Sequence, residues 1–495
     1  MTIVRRVLDP EPVLSLAAYE ELGGGAGLRA AQAAGPAAII AALAAAGLRG
    51  RGGAGFPTAV KWQSITDNLS DELAAAVVVN AAEGEPGTFK DRAILRSNPY
   101  RVLEGALIAA AAIGSDEVVV ATKQQFRPEV TRLVAAAAEI AAAKWAPGVS
   151  IDVVEGPTEY LFGEETALLE VIDGRQPFPR IAPPWRRGID DLGEVRYGIA
   201  GDALAADNQM AGPDSTTATP PALVDNVETM ANVALILAHG PAWFREVGTQ
   251  DSPGTIVCTV TGRMARHGVE EFAMGTPLLE VLSEIGVRPL VGHIGAVLSG
   301  VSNAMLSSDL LDTPLTYEAM KEVGSGLGTG GFIVFDQTIE PLAVAHGVSR
   351  FLTVESCGQC APCKQDGRLI TSALGRLIHG RADGDEQQLL DRRLRTIDTG
   401  ARCFLASQHQ VTVGSILQLF PEAVGAQHPG AAPLAPYPIA ELVDIVDGVA
   451  VMDERQVTKQ PDWTYNDIDS GQSPAEWLNQ RTGQATEATD TGRIL

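Results

Sequence analysis

Short, uninterrupted apolar runs in the first third of the chain predict buried parallel strands. These runs cover residues 75–79, 117–121 and 151–154, and strands that are covered on both faces are apolar without alternation. Helix-like segments at residues 101–113 and 127–145 alternate with them. We therefore expect a Rossmann-like, doubly wound α/β domain, whose ligand would lie at the carboxyl ends of the strands.

Changes of pattern along the chain predict an α/β multidomain protein. Residues 254–330 mix short β-like runs with one helix, which is typical of a small β-grasp domain, and residues 339–424 are helix-like. Residues 427–438 are rich in Pro and Ala, as linkers are. The predicted segments are an N-terminal helical segment (1–46), an α/β domain (47–250) with a surface insertion (186–222), a β-grasp domain (251–338), a helical domain (339–425), and a linker with a C-terminal extension (426–495).

Four of the five cysteines form one constellation in the helical segment, Cys357, Cys360 and Cys363 at two-residue intervals and Cys403 further along. Each iron of a [4Fe–4S] cluster takes one thiolate, so three ligands from a tight turn and one from a distant segment favour such a cluster. Zinc sites usually have two separated cysteine pairs, and a disulfide suits a secreted protein; on the residues alone both stay open as alternatives. Cys258 lies in an apolar run, and we interpret it as a core residue.

The composition and charge exclude some classes of partner. The chain has 61 acidic and 37 basic residues and a formal net charge of −24, which argues against nucleic acid as a partner. The N-terminus lacks the apolar segment of a signal peptide, and no apolar stretch is long enough to predict membrane insertion. We expect a soluble, cytoplasmic protein. Its tail places Trp463, Tyr465 and Trp477 in polar surroundings, which predicts a segment that is disordered or folds on a partner.

Three loops are candidates for ligand binding. Residues 47–58 are dense in glycine, which lets backbone amides approach a phosphate or a flavin edge, although a flexible turn is the simpler alternative. Residues 80–92 follow a buried strand and carry carboxylates, an amide and glycines; a helix-capping turn is the alternative there. Residues 163–166 open a helix with two glutamates, and acidic residues are common at that position because they complement the helix dipole.

These loops and the cysteines resemble, in order, the motifs of one family. That family is the NADH-binding flavoprotein subunit of respiratory complex I, and the diaphorase subunits of NAD-linked hydrogenases and the flavin subunits of NAD-dependent formate dehydrogenases are equally similar. The resemblance extends over roughly residues 40–425. The matching stretches are Gly47–Trp62, Asn80–Arg92, Tyr160–Thr166, Asn226–Thr229, Gly324–Asp336 and Glu355–Gly367.

The resemblance implies an electron-input enzyme of the NADH dehydrogenase or diaphorase type, with FMN, NAD and a [4Fe–4S] cluster. Nicotinamide gives two electrons as hydride and an iron–sulfur cluster accepts one at a time, so a flavin is needed between them. The implied catalytic residues are Glu83 and Glu85. The implied FMN-binding residues are Gly50, Gly52, Gly53, Lys61, Asn80, Gly163, Asn226 and Thr229; the NAD-binding residues are Phe56, Glu85, Glu164, Glu165 and Trp185; the cluster ligands are Cys357, Cys360, Cys363 and Cys403.

The resemblance also implies a ubiquitin-like middle domain and a multisubunit complex. The expected partners are a thioredoxin-like companion subunit with a [2Fe–2S] cluster and further iron–sulfur subunits. Those partners would hold the chain at the inner face of a membrane. The final electron donor or acceptor, whether quinone, formate, hydrogen or ferredoxin, and the direction of electron flow would be set by them.

Departures from the family pattern lie near the nucleotide site. Ala82 stands where an acid is usual, Ser64 where a second aromatic is usual, and Ala182 where a lysine is usual. Two alternatives follow. One is a nucleotide-degenerate scaffold or electron-relay subunit; the other is an NADP(H)-preferring paralogue in which Arg186 and Arg187 meet a 2′-phosphate. The retained second glutamate of residues 163–166 argues against the paralogue, because that acid is expected to bond the ribose diol and to repel a phosphate.

Overall fold

The computed structural model describes residues 3–69, 75–189 and 220–461. Its α/β domain is built on β1 (Ala76–Ala81), β2 (Glu117–Lys123), β3 (Ser150–Gly156) and β4 (Ala222–Asn226). The strands form a parallel sheet in the order β3-β2-β1-β4. Asn80 pairs with Asn226 in the register of β1 and β4, so two amide side chains end neighbouring strands. The sequence pattern did not predict β4, because its five residues end in a polar pair.

The helices of the α/β domain cover the sheet and extend towards the N-terminus. The helix Pro99–Ile113 is buried along nearly its whole length; the Asn98 side chain caps its first turn, and Gly114, in the left-handed conformation (φ 73°), follows its last residue. The set is α1 (Leu16–Glu21), α2 (Ala26–Ala34), α3 (Pro36–Ala46), α4 (Thr58–Thr66), α5 (Lys90–Ser97), α6 (Pro99–Ile113), α7 (Arg127–Ala142), α8 (Glu165–Ile172), α9 (Val227–His239) and α10 (Pro241–Phe244).

The second domain is a mixed sheet packed on one helix. Its elements are β5 (Thr255–Gly262), β6 (Gly268–Ala273), α11 (Leu278–Gly286), β7 (Ile294–Ser299), β8 (Leu306–Ser307), α12 (Tyr317–Glu322) and β9 (Gly331–Asp336). The order β6-β5-β9-β7-β8, with β5 and β9 parallel, is that of a β-grasp sheet. Cys258 is fully buried in this core, in agreement with its interpretation as a core residue.

The third domain is helical and carries the cysteines. Its helices are α13 (Pro341–Val354), α14 (Ala361–Ile378), α15 (Glu386–Leu394), α16 (Leu405–Leu419) and α17 (Glu422–Ala426). Helix α14 begins directly after Cys360, with Pro362 in its first turn, where a missing amide hydrogen costs nothing. Helix α16 begins two residues after Cys403. The cysteines therefore sit at the ends of helices, where the chain turns.

The C-terminal extension folds back on the body of the chain. It forms a hairpin of β10 (Leu442–Val446) and β11 (Val449–Met452), and Ile439, Ala440 and Leu442 are buried. The prediction of a tail that is disordered or folds on a partner is wrong for residues 439–461, because these apolar side chains pack on the chain itself.

Other predicted features fall partly outside the described residues. The three aromatic residues of the tail and residues 190–219 of the predicted insertion lie outside them, while residues 220–222 lead into the sheet. Among the described helices, none is both long enough and apolar enough to cross a bilayer.

Candidate functional site

The glycine loop between α3 and α4 is a closed turn. The Gly50 amide donates to the carbonyl of Phe56 (2.8 Å), and the Thr58 amide donates to the carbonyl of Leu48 (3.0 Å). Gly53 has a φ of 126°, which only glycine adopts without strain. The loop therefore has a definite shape that depends on its glycines.

This loop lies against the end of β4 and the start of α9. The Arg51 amide donates to the Thr229 hydroxyl at 2.9 Å. A Cβ added to Gly52 would lie 3.2 Å from the Cβ of Asn226, so a larger residue would fit here only if Asn226 moved by a few tenths of an ångström. The fold thus brings together Gly52, Asn226 and Thr229, three of the residues predicted to hold FMN.

Lys61, on the first turns of α4, is a largely buried cation between two carboxylates, with 14% of its side chain exposed. Its ammonium group pairs with Glu165, and it lies 3.8 Å from Asp225 Oδ1. Burial alone lowers the pKa of Lys61, but these two carboxylates outweigh burial and hold the pKa above its usual value. The Trp62 indole donates to Asp225 Oδ2 at 2.7 Å. Sequence reasoning missed Asp225, although its place beside Asn226 at a strand end was the available signal.

Asn80 joins the end of β1 to the turn before α8. Its side-chain amide donates to the Gly163 carbonyl at 2.8 Å, and its oxygen accepts from the Ala82 amide at 3.2 Å. A Cβ on Gly163 would lie 3.0 Å from the Ala82 carbonyl oxygen. The predicted FMN residues Asn80 and Gly163 are therefore in contact. Ala82 itself packs in an apolar cluster that includes Phe162, which shows why a small apolar residue is compatible with the fold here.

A buried polar cluster under the glycine loop was not predicted from the sequence. Lys90 donates to Asp91 Oδ1 (2.6 Å) and Asn226 Oδ1 (2.9 Å), and it lies 3.2 Å from Glu228 Oε2. Asn226 in turn donates to Asp91 Oδ2 at 2.7 Å. Burial raises the pKa of Asp91 to about 6. This cluster fixes the orientation of the Asn226 amide. A lysine that begins a charged helix resembles a surface residue in sequence, which is why Lys90 was overlooked.

The two predicted catalytic glutamates have all of their carboxylate oxygens engaged within the chain. Glu83 accepts from the Asp91 amide (2.9 Å) and from Arg92 Nε (2.9 Å), and it is buried. Glu85 is buried as well and bonds to groups of two domains. Both glutamates therefore support the fold, and their predicted catalytic role stays a prediction.

Glu85 connects the α/β domain to the β-grasp domain. Its Oε1 accepts from the Val301 amide (2.7 Å) and the Ser302 hydroxyl (2.5 Å), and its Oε2 accepts from the Tyr160 hydroxyl (2.5 Å). Burial raises the pKa of Glu85 above its usual value. A Cβ on Gly300 would overlap Glu85 Oε1, so the β-grasp loop approaches the carboxylate as closely as a backbone can. Tyr160 was part of a recognised motif but was not predicted as a site residue.

The remaining predicted NAD-binding residues include two aromatic rings that are partly exposed to solvent. Phe56 and Trp185 keep 53% and 38% of their surface exposed, which leaves both rings accessible for stacking. The Glu164 carboxylate accepts from the amides of Thr166 (3.1 Å) and Ala167 (2.9 Å). It thus caps α8, which was the simpler alternative for this loop.

The four predicted cluster ligands surround one cavity, which is lined also by Leu161 and Pro179 of the α/β domain and by parts of α16. All four are free thiols. The Ser356 hydroxyl lies 3.5 Å from the Cys363 sulfur, and the Gln359 amide donates to the Cys357 sulfur at 3.4 Å. Burial raises the pKa of the Cys363 thiol to about 12 and raises that of Cys357 as well. The positive charge of bound iron would offset this cost of forming thiolates.

The geometry of the cavity distinguishes between a cluster and a single ion. Within residues 3–69, 75–189 and 220–461, no three His, Cys, Asp or Glu side chains converge closely enough to hold one metal ion. The four sulfurs instead line a space in which each could reach a different iron of a [4Fe–4S] cluster. The residues present fit that cluster. The glycine loop, with its close backbone approach to Asn226, likewise fits a flavin phosphate.

A flavin-type α/β site, a β-grasp domain and a four-cysteine helical domain define the class of NADH-oxidising flavoprotein oxidoreductase subunits. Residues 43–235 match the family model described as the Nuo51 FMN-binding domain, and residues 343–427 match the NADH-ubiquinone oxidoreductase-F iron-sulfur binding region. The chain belongs to the F-subunit family of the NADH-quinone oxidoreductases. The predicted family, the fold class and the cofactors FMN and [4Fe–4S] are thereby confirmed.

Named relatives and solved structures agree with this assignment. The NADH-quinone oxidoreductase F-subunit from Rickettsia typhi is 32% identical over 397 residues, which cover 78% of this chain and 88% of the relative. The one from Rickettsia bellii is 34% identical over 366 residues, covering 71% of this chain and 81% of the relative. A chain of the NAD+-reducing [NiFe]-hydrogenase in its H2-reduced state superposes with a TM-score of 0.70 at 32% identity. The match covers 82% of this chain and 65% of that one.

Proposed function

We propose that this chain takes hydride from NADH and passes single electrons to its [4Fe–4S] cluster and then to partner subunits. The observation that carries the proposal is the wall shared by the two sites. Leu161 and Pro179, on either side of the residue 163–166 loop, line the cysteine cavity, and the charge of Glu164 acts on the Cys403 thiol. The nucleotide loop and the cluster cavity are therefore neighbours.

FMN, when bound, supplies the change from hydride transfer to single-electron transfer. The chain's own residues would bind and orient it. Gly52 and Asn226 would receive the phosphate end, where the backbone of Gly52 lies close to the Asn226 side chain. Lys61, held as a cation, would stabilise negative charge that develops on the flavin ring.

The partly exposed residues Phe56, Trp185 and Glu165 would bind the dinucleotide. Phe56 and Trp185 present accessible aromatic faces for the adenine. Glu165 keeps 42% of its side chain exposed beside Lys61, so its carboxylate can accept bonds from the ribose diol. A 2′-phosphate at that place would meet a like charge, and we propose NAD(H) as the preferred nucleotide.

Partner subunits are part of the proposal. The names of the relatives describe one subunit of an NADH-quinone oxidoreductase and an NAD+-reducing hydrogenase. We propose a similar assembly here, with a thioredoxin-like [2Fe–2S] companion and further iron–sulfur subunits, in the cytoplasm or held by partners at the inner face of a membrane.

An anaerobic titration of the purified protein with NADH, and separately with NADPH, tests the proposal. Bleaching of the visible flavin band by NADH at low excess, with little response to NADPH, is the expected result. Bound flavin that responds to neither nucleotide, in a protein whose cluster dithionite still reduces, would overturn the dehydrogenase proposal and leave an electron relay. A stronger response to NADPH would overturn the nucleotide assignment alone.

A further inference from the structure

The described part of the C-terminal extension that packs on the body, residues 439–459, is named the strap. It contacts all three domains. Glu441 pairs with Lys123 of the α/β domain at 2.5 Å, and the amide of His267 in the β-grasp domain donates to a strap carbonyl at 2.7 Å. Arg350 of the helical domain donates to three strap carbonyls at 2.6–3.0 Å. The strap thus joins the domains that would hold the nucleotide and the cluster.

The ion pair between the strap and β2 lies directly against the turn that carries the two predicted catalytic glutamates. The Lys123 side chain is fully buried, and that of Glu441 is 9% exposed. A Cβ on Gly84 would lie 2.8 Å from Lys123 Nζ and 2.9 Å from Glu441 Oε1. Lys123 also donates to the Thr158 carbonyl at 3.1 Å. The backbone of the turn therefore rests on this pair.

Arg92 makes a second connection between the turn and the strap. Its Nε donates to Glu83 Oε2 at 2.9 Å, and its Nη1 donates to the Leu442 carbonyl at 2.5 Å. The guanidinium stands over the rings of Phe89 and Phe126, 4.1 and 4.6 Å from their centroids. Because one rigid guanidinium serves both partners, a shift of the strap would move the Glu83 carboxylate.

A third connection reaches Glu85 from the far end of the strap. Lys459 Nζ bonds Glu355 Oε1 at 2.7 Å, and Glu355 Oε2 accepts from the Tyr160 amide at 3.0 Å. Tyr160 donates its hydroxyl to Glu85. The strap is therefore connected to all three residues of the turn: to Glu83 through Arg92, to Gly84 through the Lys123–Glu441 pair, and to Glu85 through Glu355 and Tyr160.

We propose that the strap positions the Glu83-Gly84-Glu85 turn for the nucleotide, and that Glu441 is the main positioning residue. The matched iron–sulfur family model ends at residue 427, before the strap begins. The inference rests on the proposed function, since it assigns a support to the same site. It assigns Glu441 no contact with nucleotide or flavin.

Glu441→Gln in the full-length protein loaded with FMN and cluster is the direct test. The variant keeps the shape of the side chain but removes the carboxylate charge that bonds the buried Lys123 directly. With ferricyanide as acceptor, we expect a three- to tenfold rise in the KM for NADH, with kcat within about twofold of wild type. Hydrogen–deuterium exchange of the amides in residues 82–92 should become faster. Unchanged KM and unchanged exchange would overturn the inference.

Asp447→Asn is the matched control. Asp447 is an exposed residue in the turn between β10 and β11 of the same strap, so its replacement removes a strap charge at the other end of the hairpin from Glu441. We expect wild-type KM and wild-type exchange in residues 82–92. If this variant raised the KM as much as Glu441→Gln, the effect would be a general loosening of the strap, and the role given to Glu441 would be wrong.

A double variant covers the case in which Glu441→Gln fails to fold. Lys123→Met with Glu441→Leu removes both buried charges, a replacement that folded proteins commonly tolerate. It should fold but retain the raised KM and the faster exchange, because the support under Gly84 is gone. A wild-type KM in this folded variant would overturn the inference.

The wild-type protein separates the failure of the strap inference from the failure of the proposed function. If NADH does not bleach the wild-type flavin, the proposed function fails. If NADH bleaches it and the variants behave as wild type, only the strap inference fails.

Discussion

The turn at residues 83–85 and the cysteine cavity lie close together but are stabilised in different ways. In the turn, the carboxylates of Glu83 and Glu85 are buried, and donors from three parts of the chain satisfy them. In the cavity, burial raises the pKa of thiols such as Cys363, and the four sulfurs line one shared space. The turn is complete without a ligand, whereas the cavity needs iron to offset the cost of its thiolates.

This difference indicates which parts of the site depend on a cofactor. A network of mutually satisfied polar groups stabilises the fold and places a few groups for the nucleotide. A ring of thiols that are buried or partly buried gains its stability from the metal, as structural metal sites do. Loss of the cluster should therefore leave the turn intact, and damage to the turn should leave the cluster in place.

The largest expected effect is the loss of the cluster in Cys360→Ser. Removal of one of the four thiolates should abolish most of the bound iron and the electron paramagnetic resonance signal of the reduced cluster, while the flavin content stays within about a fifth of wild type. Cys258→Ala, which removes the buried thiol of β5, is the control and should keep its cluster. A normal cluster spectrum in Cys360→Ser would remove Cys360 as a ligand, and loss of flavin as well would break the contrast between the two regions.

The next effect is a loss of stability in Glu85→Ala. Three donors would lose their acceptor in a buried place, and each such group costs about 1–3 kcal/mol, so we expect the free energy of unfolding to fall by about 3 kcal/mol. Denaturant unfolding, followed by flavin fluorescence, measures this. Glu155→Ala, which removes an exposed carboxylate paired with Arg127, should cost under about 1 kcal/mol. Equal losses in both variants would contradict the importance given to the Glu85 connections.

A buried histidine should make the stability of the helical domain depend on pH. Burial lowers the pKa of His409 to about 3, and its Nε2 lies 2.8 Å from the Ser349 hydroxyl. Because the folded pKa is below that of the unfolded chain, the unfolded state gains a proton first, and stability falls as the pH drops below about 6.5.

The expected loss is about 1.4 kcal/mol per pH unit below that value. Hydrogen exchange of the amides in α16 at pH 7.5 and pH 5.5 measures it, and His409→Gln should show a smaller difference between the two. The same pH dependence in the variant would mean that another group titrates. Similar acid sensitivity in the β1 amides would mean that the two regions do not unfold separately.

The smallest expected effect concerns nucleotide choice in Glu165→Ala. Removal of this carboxylate should raise the turnover of NADPH relative to NADH by about threefold, a change under about 1 kcal/mol, because a partly exposed charge is screened by solvent. Steady-state rates with both nucleotides measure the ratio. Glu246→Ala, which removes an exposed carboxylate that pairs with Arg6, serves as control. An unchanged ratio would remove Glu165 as the group that discriminates against the 2′-phosphate.

How much the sequence could predict differs between the two regions. The four predicted cluster ligands were chosen from their spacing, because ligand type and interval follow from the chemistry of the cluster, and the structure brings these four cysteines to one cavity. The positions of Glu83 and Glu85 at the end of a buried strand were also predictable. Their partners were not: Val301 and Ser302 belong to another domain, and the Leu442 carbonyl belongs to a tail that the sequence predicted to be disordered or partner-bound.

By itself, the sequence determined the family, the fold class, the cofactors and the residue types at the cluster, since these depend on local spacing and on motifs that stay in order. Only the tertiary structure decided that Lys90 and Asp225 are buried beside the site, that Tyr160 bonds Glu85, and that the strap lies under Gly84. The physical reason is that a buried polar group must find a partner wherever packing provides one. That partner can be hundreds of residues away, where neither periodicity nor spacing points to it.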